Sequence, residues 1–238
     1  MGKSLQAAVF DCDGLLVDSQ RCWDRAYELV AADRGRSLDD IRLEALLGAS
    51  VARAASQLSR DLGGPVDADE LRAALAESFA ADPPEALPGA RELVAELATH
   101  MPLAVASNGP RDVVLGVLDQ LGMREAFAAV VSAEETAREK PEPHVYLEAC
   151  RRLAVAPRAA IAFEDSALGA QAARSAGLAL VLVPATAAVH VDADLVVMRL
   201  DDPRVRAFLG VSRPDRVAPR TAAVVVDDGH ATEAPAEV

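Results

Sequence analysis

Several residue types are scarce in this 238-residue chain, and each scarcity excludes a class of protein. Aromatic residues make up only 3% of the chain, so alanine, valine and leucine must form most of the buried core. No apolar run approaches the roughly 18 residues of a membrane-spanning helix, and no secretory signal pattern is present. The cysteines Cys12, Cys22 and Cys150 are odd in number and lack metal-site spacing. We therefore expect a cytoplasmic protein without a membrane partner.

Basic residues are also outnumbered, since 24 Lys and Arg stand against 37 Asp and Glu and give a net charge of −13. An acidic surface repels the phosphates of nucleic acids, so we expect no nucleic-acid partner. Lysine is the rarer cation, because Lys3 and Lys140 are the only two in the sequence.

The apolar fraction of 51% is ample for a large core and excludes global disorder.

Short apolar runs alternate with helical patterns along most of the chain. A run that is apolar on both faces is typical of a buried parallel strand. The alternation of such runs with helices indicates an α/β fold with a doubly wound parallel sheet. The predicted strands cover residues 7–10, 103–106, 129–131, 160–163, 180–183 and 195–198.

One long stretch interrupts the alternation. From about Ser19 to Pro84 the sequence shows helical Leu and Ala patterns and no strand signal. We therefore expect an α-helical cap domain over residues 18–84. It would be inserted into an α/β core domain formed by residues 1–17 and 85–210.

The C-terminal part of the chain has a different composition. After about residue 210 the periodic pattern fades into a polar segment that is rich in Ala and interrupted by Pro. A poorly ordered tail is expected over residues 211–238, although Thr221 to Val226 has the composition of an edge strand. This segment carries no chemical motif.

Polar side chains that could take part in catalysis or binding lie where predicted strands end or a helix begins. They are Asp11 and Asp13 after the first strand, Ser107 and Asn108 after the second, Lys140 before a helix, and Glu164 and Asp165 after the fourth strand. Ligands of an open parallel sheet bind beyond the carboxyl ends of its strands. If the first strand is central, with the second and fourth on either side, these groups converge on one site.

The charges of these groups indicate the chemistry. Four carboxylates face a single lysine, and such a concentration of negative charge requires protonation or a counter-ion. A hard divalent cation with oxygen ligands resolves the repulsion, and Mg²⁺ is the usual one. A site with Mg²⁺, a lysine and a hydroxyl group suits phosphoryl transfer, in which one carboxylate attacks phosphorus and another handles the proton.

Four segments, in order, resemble the four motifs of the haloacid dehalogenase superfamily. They are Phe10 to Ser19, Val105 to Gly109, Lys140 to Pro143, and Phe163 to Ser166 with Gly169. The resemblance spans roughly residues 5 to 200 and includes a helical cap of the expected kind and place. It is closest to the branch of small phosphatases and β-phosphoglucomutase-like enzymes, and it implies a Rossmann-like core.

The resemblance also implies roles for individual residues. Asp11 would be the nucleophile, and Asp13 would be the general acid and base. Ser107 and Lys140 would hold the phosphoryl oxygens, helped by the backbone N–H of Asn108.

The metal site is implied in the same way. Asp11 and Asp165 would be ligands of Mg²⁺, and Asp13 would bind the ion through its backbone carbonyl. Glu164 would be either a ligand or a partner of the ligands.

The implied activity is a Mg²⁺-dependent phosphatase that hydrolyses a small phosphorylated metabolite through an aspartyl-phosphate. A sugar phosphate, phosphoglycolate or a similar compound would be the substrate. The alternative is a β-phosphoglucomutase-like sugar-phosphate mutase, which shares every core motif. Such mutases carry an arginine directly after a Gly-Val-Ser-like turn and a further cap lysine. Here Val51 follows Gly48-Ala49-Ser50, Arg53 comes two residues later, and the predicted cap has no lysine.

Two further expectations concern the predicted cap. Trp23 and Tyr27 are expected to pack within the cap or against the core rather than form a platform for the substrate. The cap is expected to be a mobile lid, hinged near Val17 to Ser19 and Glu85 to Pro88.

Overall fold

A computed structural model describes residues 5–186, 189 and 191–211, and the structural statements below refer to these residues. The strands are β1 Ala7–Phe10, β2 Leu103–Ser107, β3 Ala129–Ser132, β4 Ala160–Glu164, β5 Ala179–Leu182 and β6 Leu195–Val196. The α-helices are α1 Gln20–Ala32, α2 Val51–Leu62, α3 Ala68–Ala81, α4 Ala90–Ala98, α5 Arg111–Gln120, α6 His144–Arg152, α7 Ala167–Ala176 and α8 Pro203–Leu209. Short 3-10 turns cover Leu38–Asp40, Leu43–Leu46, Arg124–Ala126, Ala133–Glu135 and Pro157–Ala159.

The six strands form one parallel sheet in the order β3-β2-β1-β4-β5-β6. This confirms the predicted doubly wound α/β fold, with β1 between β2 and β4. The strand order reverses direction at β1, where an open parallel sheet forms its ligand crevice. The last strand is shorter than predicted, at Leu195–Val196, because the edge strand pairs with β5 through only two residue pairs.

The sheet is buried on both faces, as its apolar strands require. Successive residues of β1 point to opposite sides, so Ala7 and Val9 pack in one apolar layer, and Ala8 and Phe10 pack in the other. The Phe10 ring stacks on Phe163 of β4 at 4.6 Å between centroids. Small and β-branched residues therefore build the core around few aromatic rings, as the composition predicts.

Helices α1, α2 and α3 fill the chain between β1 and α4. α1 packs along α3, and the Arg34 guanidinium pairs with Glu70 at 2.6 Å across that contact. Leu71 and Leu75 of α3 are fully buried. The assignment of residues 18–84 to a cap domain, separate from the core, stays a prediction.

Two short backbone segments connect these helices to the α/β part of the fold, and they lie side by side. The Asp18 N–H donates to the Glu85 carbonyl at 2.9 Å, and the Leu87 N–H donates to the Leu16 carbonyl at 2.9 Å. These are the segments in which the sequence predicts a hinge. Movement of the lid stays a prediction.

Three remaining expectations concern the termini, the membrane and the cysteines. The expected tail lies outside the described residues except at Val211, and so does the segment Thr221 to Val226. None of the described helices combines the length and apolarity needed to cross a bilayer. Cys12, Cys22 and Cys150 are all buried free thiols. The cytoplasmic location inferred from the cysteines stays a prediction.

Candidate active site

The loop that follows β1 carries both aspartates of the first motif. The Asp11 N–H donates to the Phe163 carbonyl at 3.0 Å, so the pairing of β1 with β4 extends as far as Asp11. Gly14 has a φ of 76°, a conformation that favours glycine. A Cβ at Gly14 would also overlap the Asp165 carboxylate. Glycine therefore lets the loop bend sharply and approach the residue that follows β4.

A buried lysine connects the ends of β1 and β4. Lys140 is 2% exposed, and its Nζ donates to Asp11 Oδ1 at 2.7 Å and to Glu164 Oε1 at 2.6 Å. Burial alone lowers the pKa of the Lys140 ammonium, but the two carboxylates outweigh it and raise this pKa above its ordinary value. Lys140 is therefore a permanent cation at the centre of the site.

One lysine does not balance the acidic groups around it. Asp11, Glu164 and Asp165 each offer a carboxylate oxygen, and the three oxygens lie within 4.8 Å of one another. Burial raises the pKa of Asp11 to about 7, an effect that the Lys140 charge opposes, and burial likewise raises the pKa of Asp165 well above its usual range. Three buried carboxylates and one ammonium leave an excess of negative charge that a divalent cation would neutralise.

The Asp13 carboxyl group is not part of this three-oxygen cluster. Its Oδ1 accepts a hydrogen bond from Ser19 Oγ at 2.6 Å and another from Trp23 Nε1 at 3.2 Å. Its Oδ2 lies 3.5 Å from Ser107 Oγ. The side chain of Asp13 therefore faces the pocket between the sheet and α1, where a leaving group or a water molecule would be located.

The loop after β2 places Ser107 and Asn108 opposite the aspartates. The Gly109 N–H donates to Ser107 Oγ at 2.9 Å, which fixes the hydroxyl. The amide of Asn108 contacts two other segments, because its Nδ2 donates to the Gly48 carbonyl at 2.8 Å and its Oδ1 accepts from the Lys140 N–H at 3.0 Å. The structure thus brings together all seven residues that the sequence selects: Asp11, Asp13, Ser107, Asn108, Lys140, Glu164 and Asp165.

Tyr146 is a site residue that the sequence does not reveal. Its hydroxyl donates to Glu164 Oε1, and the Lys140 ammonium lies 5.1 Å from the centre of its ring. Its position in the amphipathic pattern of α6 is explained by packing alone. The local signal in the sequence is that Tyr146 follows Lys140 by six residues. The chain turns into α6 between them, and the Tyr146 hydroxyl returns to the site.

The segment after β4 is fixed by local hydrogen bonds. Ser166 caps α7 by accepting from the Gly169 N–H at 3.1 Å. Glu164 Oε2 accepts from the Asp165 N–H at 3.1 Å and from Ser166 Oγ at 3.2 Å. With Lys140 and Tyr146 on its other oxygen, Glu164 has little freedom to move.

A pocket of about 860 Å³ opens above these groups and extends to the helices before α4. Trp23, Tyr27 and Leu46 line its wall, and Arg53 is a cation among its lining residues. Trp23 and Tyr27 are largely buried, and their rings contact each other at 5.9 Å between centroids. Both rings are packed, but they also line the pocket, so the expectation that they form no platform for the substrate stays a prediction. Trp23 also reaches Asp13 with its indole nitrogen.

Residues 5–177 match the family described as haloacid dehalogenase-like hydrolase. The chain belongs to this family. This hydrolase is 32% identical over 225 residues to hexitol phosphatase B of Escherichia coli K12, an alignment that covers 87% of the chain and 98% of the relative. It is 33% identical over 206 residues to validoxylamine A 7'-phosphate phosphatase of Streptomyces hygroscopicus subsp. limoneus, which covers 84% and 96% of the two chains.

Solved structures agree with these relatives. The crystal structure of CbbY from Rhodobacter sphaeroides in complex with phosphate superposes with a TM-score of 0.70 and 26% identity. The match covers 82% of this hydrolase and 95% of that chain. The family and its phosphatase relatives identify the enzyme class as a phosphoric monoester hydrolase, as predicted.

Proposed function

We propose that this hydrolase is a Mg²⁺-dependent phosphatase of a small phosphorylated metabolite and that it acts through an aspartyl-phosphate on Asp11. The observation that carries the proposal is the buried cluster of Asp11, Glu164 and Asp165 around Lys140 at the carboxyl ends of β1 and β4. This arrangement has the charge and the oxygen donors to bind a divalent cation beside a phosphoryl group.

The donor set fits Mg²⁺, which prefers oxygen ligands and charged carboxylates. Asp11 and Asp165 would hold the ion with the backbone carbonyl of Asp13, and Glu164 would be a further ligand or would orient the others. The bound ion supplies neutralisation of the charge on the phosphoryl oxygens.

The reaction requires two roles from the aspartates. A carboxylate oxygen of Asp11 forms a bond to phosphorus while the bond from phosphorus to the leaving oxygen breaks, and Asp13 donates its proton to that oxygen. In the second half, Asp13 takes a proton from water as the water oxygen bonds to phosphorus. The Asp11–phosphorus bond then breaks and inorganic phosphate is released.

Three further groups hold the phosphoryl oxygens in this proposal. Lys140 offers a permanent positive charge, Ser107 offers a hydroxyl, and Asn108 offers its backbone N–H. Donors that are fixed before the reaction stabilise the transition state because they need no reorganisation during it. The hydrogen bonds of Ser107 and of the Asn108 side chain provide that fixation.

The substrate class follows from the pocket and the relatives. The volume of about 860 Å³ suits a small metabolite, and the wall formed by Trp23, Tyr27 and Leu46 is predominantly apolar. Relatives above 30% identity are named as phosphatases of a hexitol and of validoxylamine A 7'-phosphate. We infer a phosphorylated sugar, polyol or similar compound as the substrate.

We expect phosphate release from a panel of such compounds to depend on Mg²⁺ and to be lost when a chelator removes the metal. Burial raises the pKa of Asp11 to about 7 in the metal-free protein. Below that pH, the Asp11 carboxyl group is protonated and must lose its proton before it can bind a cation. The Mg²⁺ affinity measured by calorimetry should therefore be higher at pH 8 than at pH 6. Full activity in excess chelator would contradict the proposal.

The mutase alternative predicts a different product. A mutase must retain a bisphosphate through two transfers, which requires cations in the cap. The position after Ser50 is Val51, which is buried at the start of α2, and Arg53 is the nearby cation that lines the pocket. A neutral side chain does not replace a charge-assisted contact to phosphate.

We therefore expect hydrolysis rather than isomerisation of hexose phosphates. The measurement is incubation of β-glucose 1-phosphate with a trace of the 1,6-bisphosphate, followed by assay of glucose 6-phosphate and free phosphate. Free phosphate should exceed glucose 6-phosphate whenever this compound is turned over. The reverse ratio would favour the mutase, and Arg53 would then be the first residue to replace.

A further inference from the structure

The two oxygens of the Asp13 carboxyl group have different surroundings. Oδ1 accepts two hydrogen bonds, from Ser19 Oγ at 2.6 Å and from Trp23 Nε1 at 3.2 Å. Oδ2 faces Ser107 Oγ at 3.5 Å and the backbone of Gly109, where an added Cβ would lie 3.0 Å from it. Only Oδ2 therefore faces the group that is proposed to hold the phosphoryl oxygens.

This asymmetry determines which oxygen of Asp13 faces the reacting groups. Two donors hold Oδ1 on the side of α1, so Oδ2 is the oxygen directed at the proposed phosphoryl site. We propose that Trp23 is a positioning residue for the phosphatase reaction. With Ser19, it holds Oδ1 and thereby keeps Oδ2 of Asp13 directed at the group that reacts. The proposal rests on the function proposed above, in which Asp13 is the acid.

The hydrogen bond from Trp23 to Asp13 has only one possible donor, whereas the one between Ser19 and Asp13 can run in either direction. A serine hydroxyl rotates and is both a donor and an acceptor, so Ser19 Oγ can accept a hydrogen bond from the Asp13 carboxyl group instead of donating one. The indole N–H is only a donor, and the Trp23 side chain is 8% exposed and packed against Tyr27. Trp23 therefore always donates to Oδ1 where the two atoms meet, whereas the Ser19 hydroxyl can donate or accept.

Packing alone would not require this contact. The Trp23 ring belongs to the apolar core, and a phenylalanine ring would fill most of the same space. A phenylalanine has no N–H, so Trp23→Phe removes the donor while it keeps an aromatic side chain on α1. The two roles can therefore be separated by experiment.

The kinetic test compares substrates that differ in their need for an acid. We expect Trp23→Phe to lower kcat/KM about tenfold for a hexitol phosphate, whose alkoxide must be protonated as it leaves. The loss should be much smaller for p-nitrophenyl phosphate, whose leaving group needs little protonation. The constant kcat/KM is used because it reports the formation of the aspartyl-phosphate and excludes its hydrolysis.

Tyr27→Phe is the matched control. It removes one polar atom from the same helix and the same pocket wall, four residues from Trp23. We expect it to change kcat/KM for the two substrates by the same factor. A selective loss in Trp23→Phe, together with an unselective one in Tyr27→Phe, supports the positioning role.

A second measurement tests the contact without turnover. Trp23 is the only tryptophan in the chain, so a ¹⁵N-labelled sample gives one indole N–H resonance. In the wild-type protein this proton should exchange slowly and resonate downfield, as a donor to a carboxylate does. Asp13→Ala should move the resonance upfield and accelerate its exchange.

The outcomes separate this proposal from the proposed function. If the wild-type chain releases no phosphate from any compound of the panel, the function and the role of Trp23 are both overturned. If the wild type is active and Trp23→Phe loses the same factor on both substrates, only the role of Trp23 is overturned. An indole resonance that is insensitive to Asp13→Ala would also overturn it.

Discussion

Asp11→Asn is expected to reduce phosphate release by about 10³-fold or more, since removal of a catalytic nucleophile is among the largest single-residue effects known in enzymes. The amide is nearly the same size as the carboxylate but is a poor nucleophile and a poor ligand for Mg²⁺. Initial rates on the best compound of the metabolite panel measure the loss. Residual activity of more than a few per cent would mean that another group attacks phosphorus.

The fold of this variant should be intact, which distinguishes lost chemistry from lost structure. Lys140 Nζ donates to Asp11 Oδ1 at 2.7 Å, and an asparagine oxygen can accept the same bond. Burial raises the pKa of Asp11 to about 7, above its value in the unfolded chain, so at pH 8 the ionised carboxyl opposes folding. Removal of that charge should therefore leave the metal-free thermal midpoint at pH 8 equal to or above the wild-type value.

The magnesium response provides the control for that result. Added Mg²⁺ should raise the thermal midpoint of the wild type, because a ligand that binds only the folded state stabilises it. The rise should be much smaller in Asp11→Asn. A variant that unfolds at markedly lower temperature in metal-free buffer at pH 8 would contradict the assignment of Asp11 as a destabilising charge.

The sheet could be predicted from the sequence because its signal is local and repeated. Runs that are apolar on both faces determine strands, and their alternation with helices leaves few topologies. The order of the strands then brings Asp11, Ser107 and Asp165 to one edge without further information. The edge strand β6 was less predictable, because its length depends on how many residues find a partner on β5.

The contacts between the site residues are harder to predict from the sequence than the identities of those residues. The Trp23 indole reaches Asp13 only because α1 begins at Gln20 and turns this face toward the sheet. Asn108 contacts the Gly48 carbonyl across sixty residues of sequence. Such contacts depend on the packing angles of helices, which residue spacing does not encode. Tyr146 cannot be selected from the sequence for a related reason, since a buried aromatic ring in α6 is explained by packing whether or not its hydroxyl has a role.

Gly169→Ala is expected to disable the site without touching any group that reacts. Gly169 lies in the first turn of α7, and a Cβ there would overlap the Glu164 carboxylate. That carboxylate cannot move away freely, because Lys140, Tyr146 and the N–H of Asp165 all donate to it. Disruption of a buried, hydrogen-bonded ion pair costs about 3 kcal/mol or more in unfolding free energy.

We expect a clear decrease in unfolding free energy, weaker Mg²⁺ binding by calorimetry, and at least about 10²-fold slower turnover for Gly169→Ala. Gly116→Ala is the matched control, since Gly116 is an exposed residue of α5 and an added Cβ would meet nothing within 4 Å. Alanine is the better helix former by about 1 kcal/mol, so the control should be as stable as the wild type or more stable, with unchanged turnover. If both variants behave alike, the contact between α7 and Glu164 does not constrain the site. If only Gly169→Ala loses Mg²⁺ affinity, the glycine is required because the backbone of α7 must lie against the carboxylate that holds Lys140.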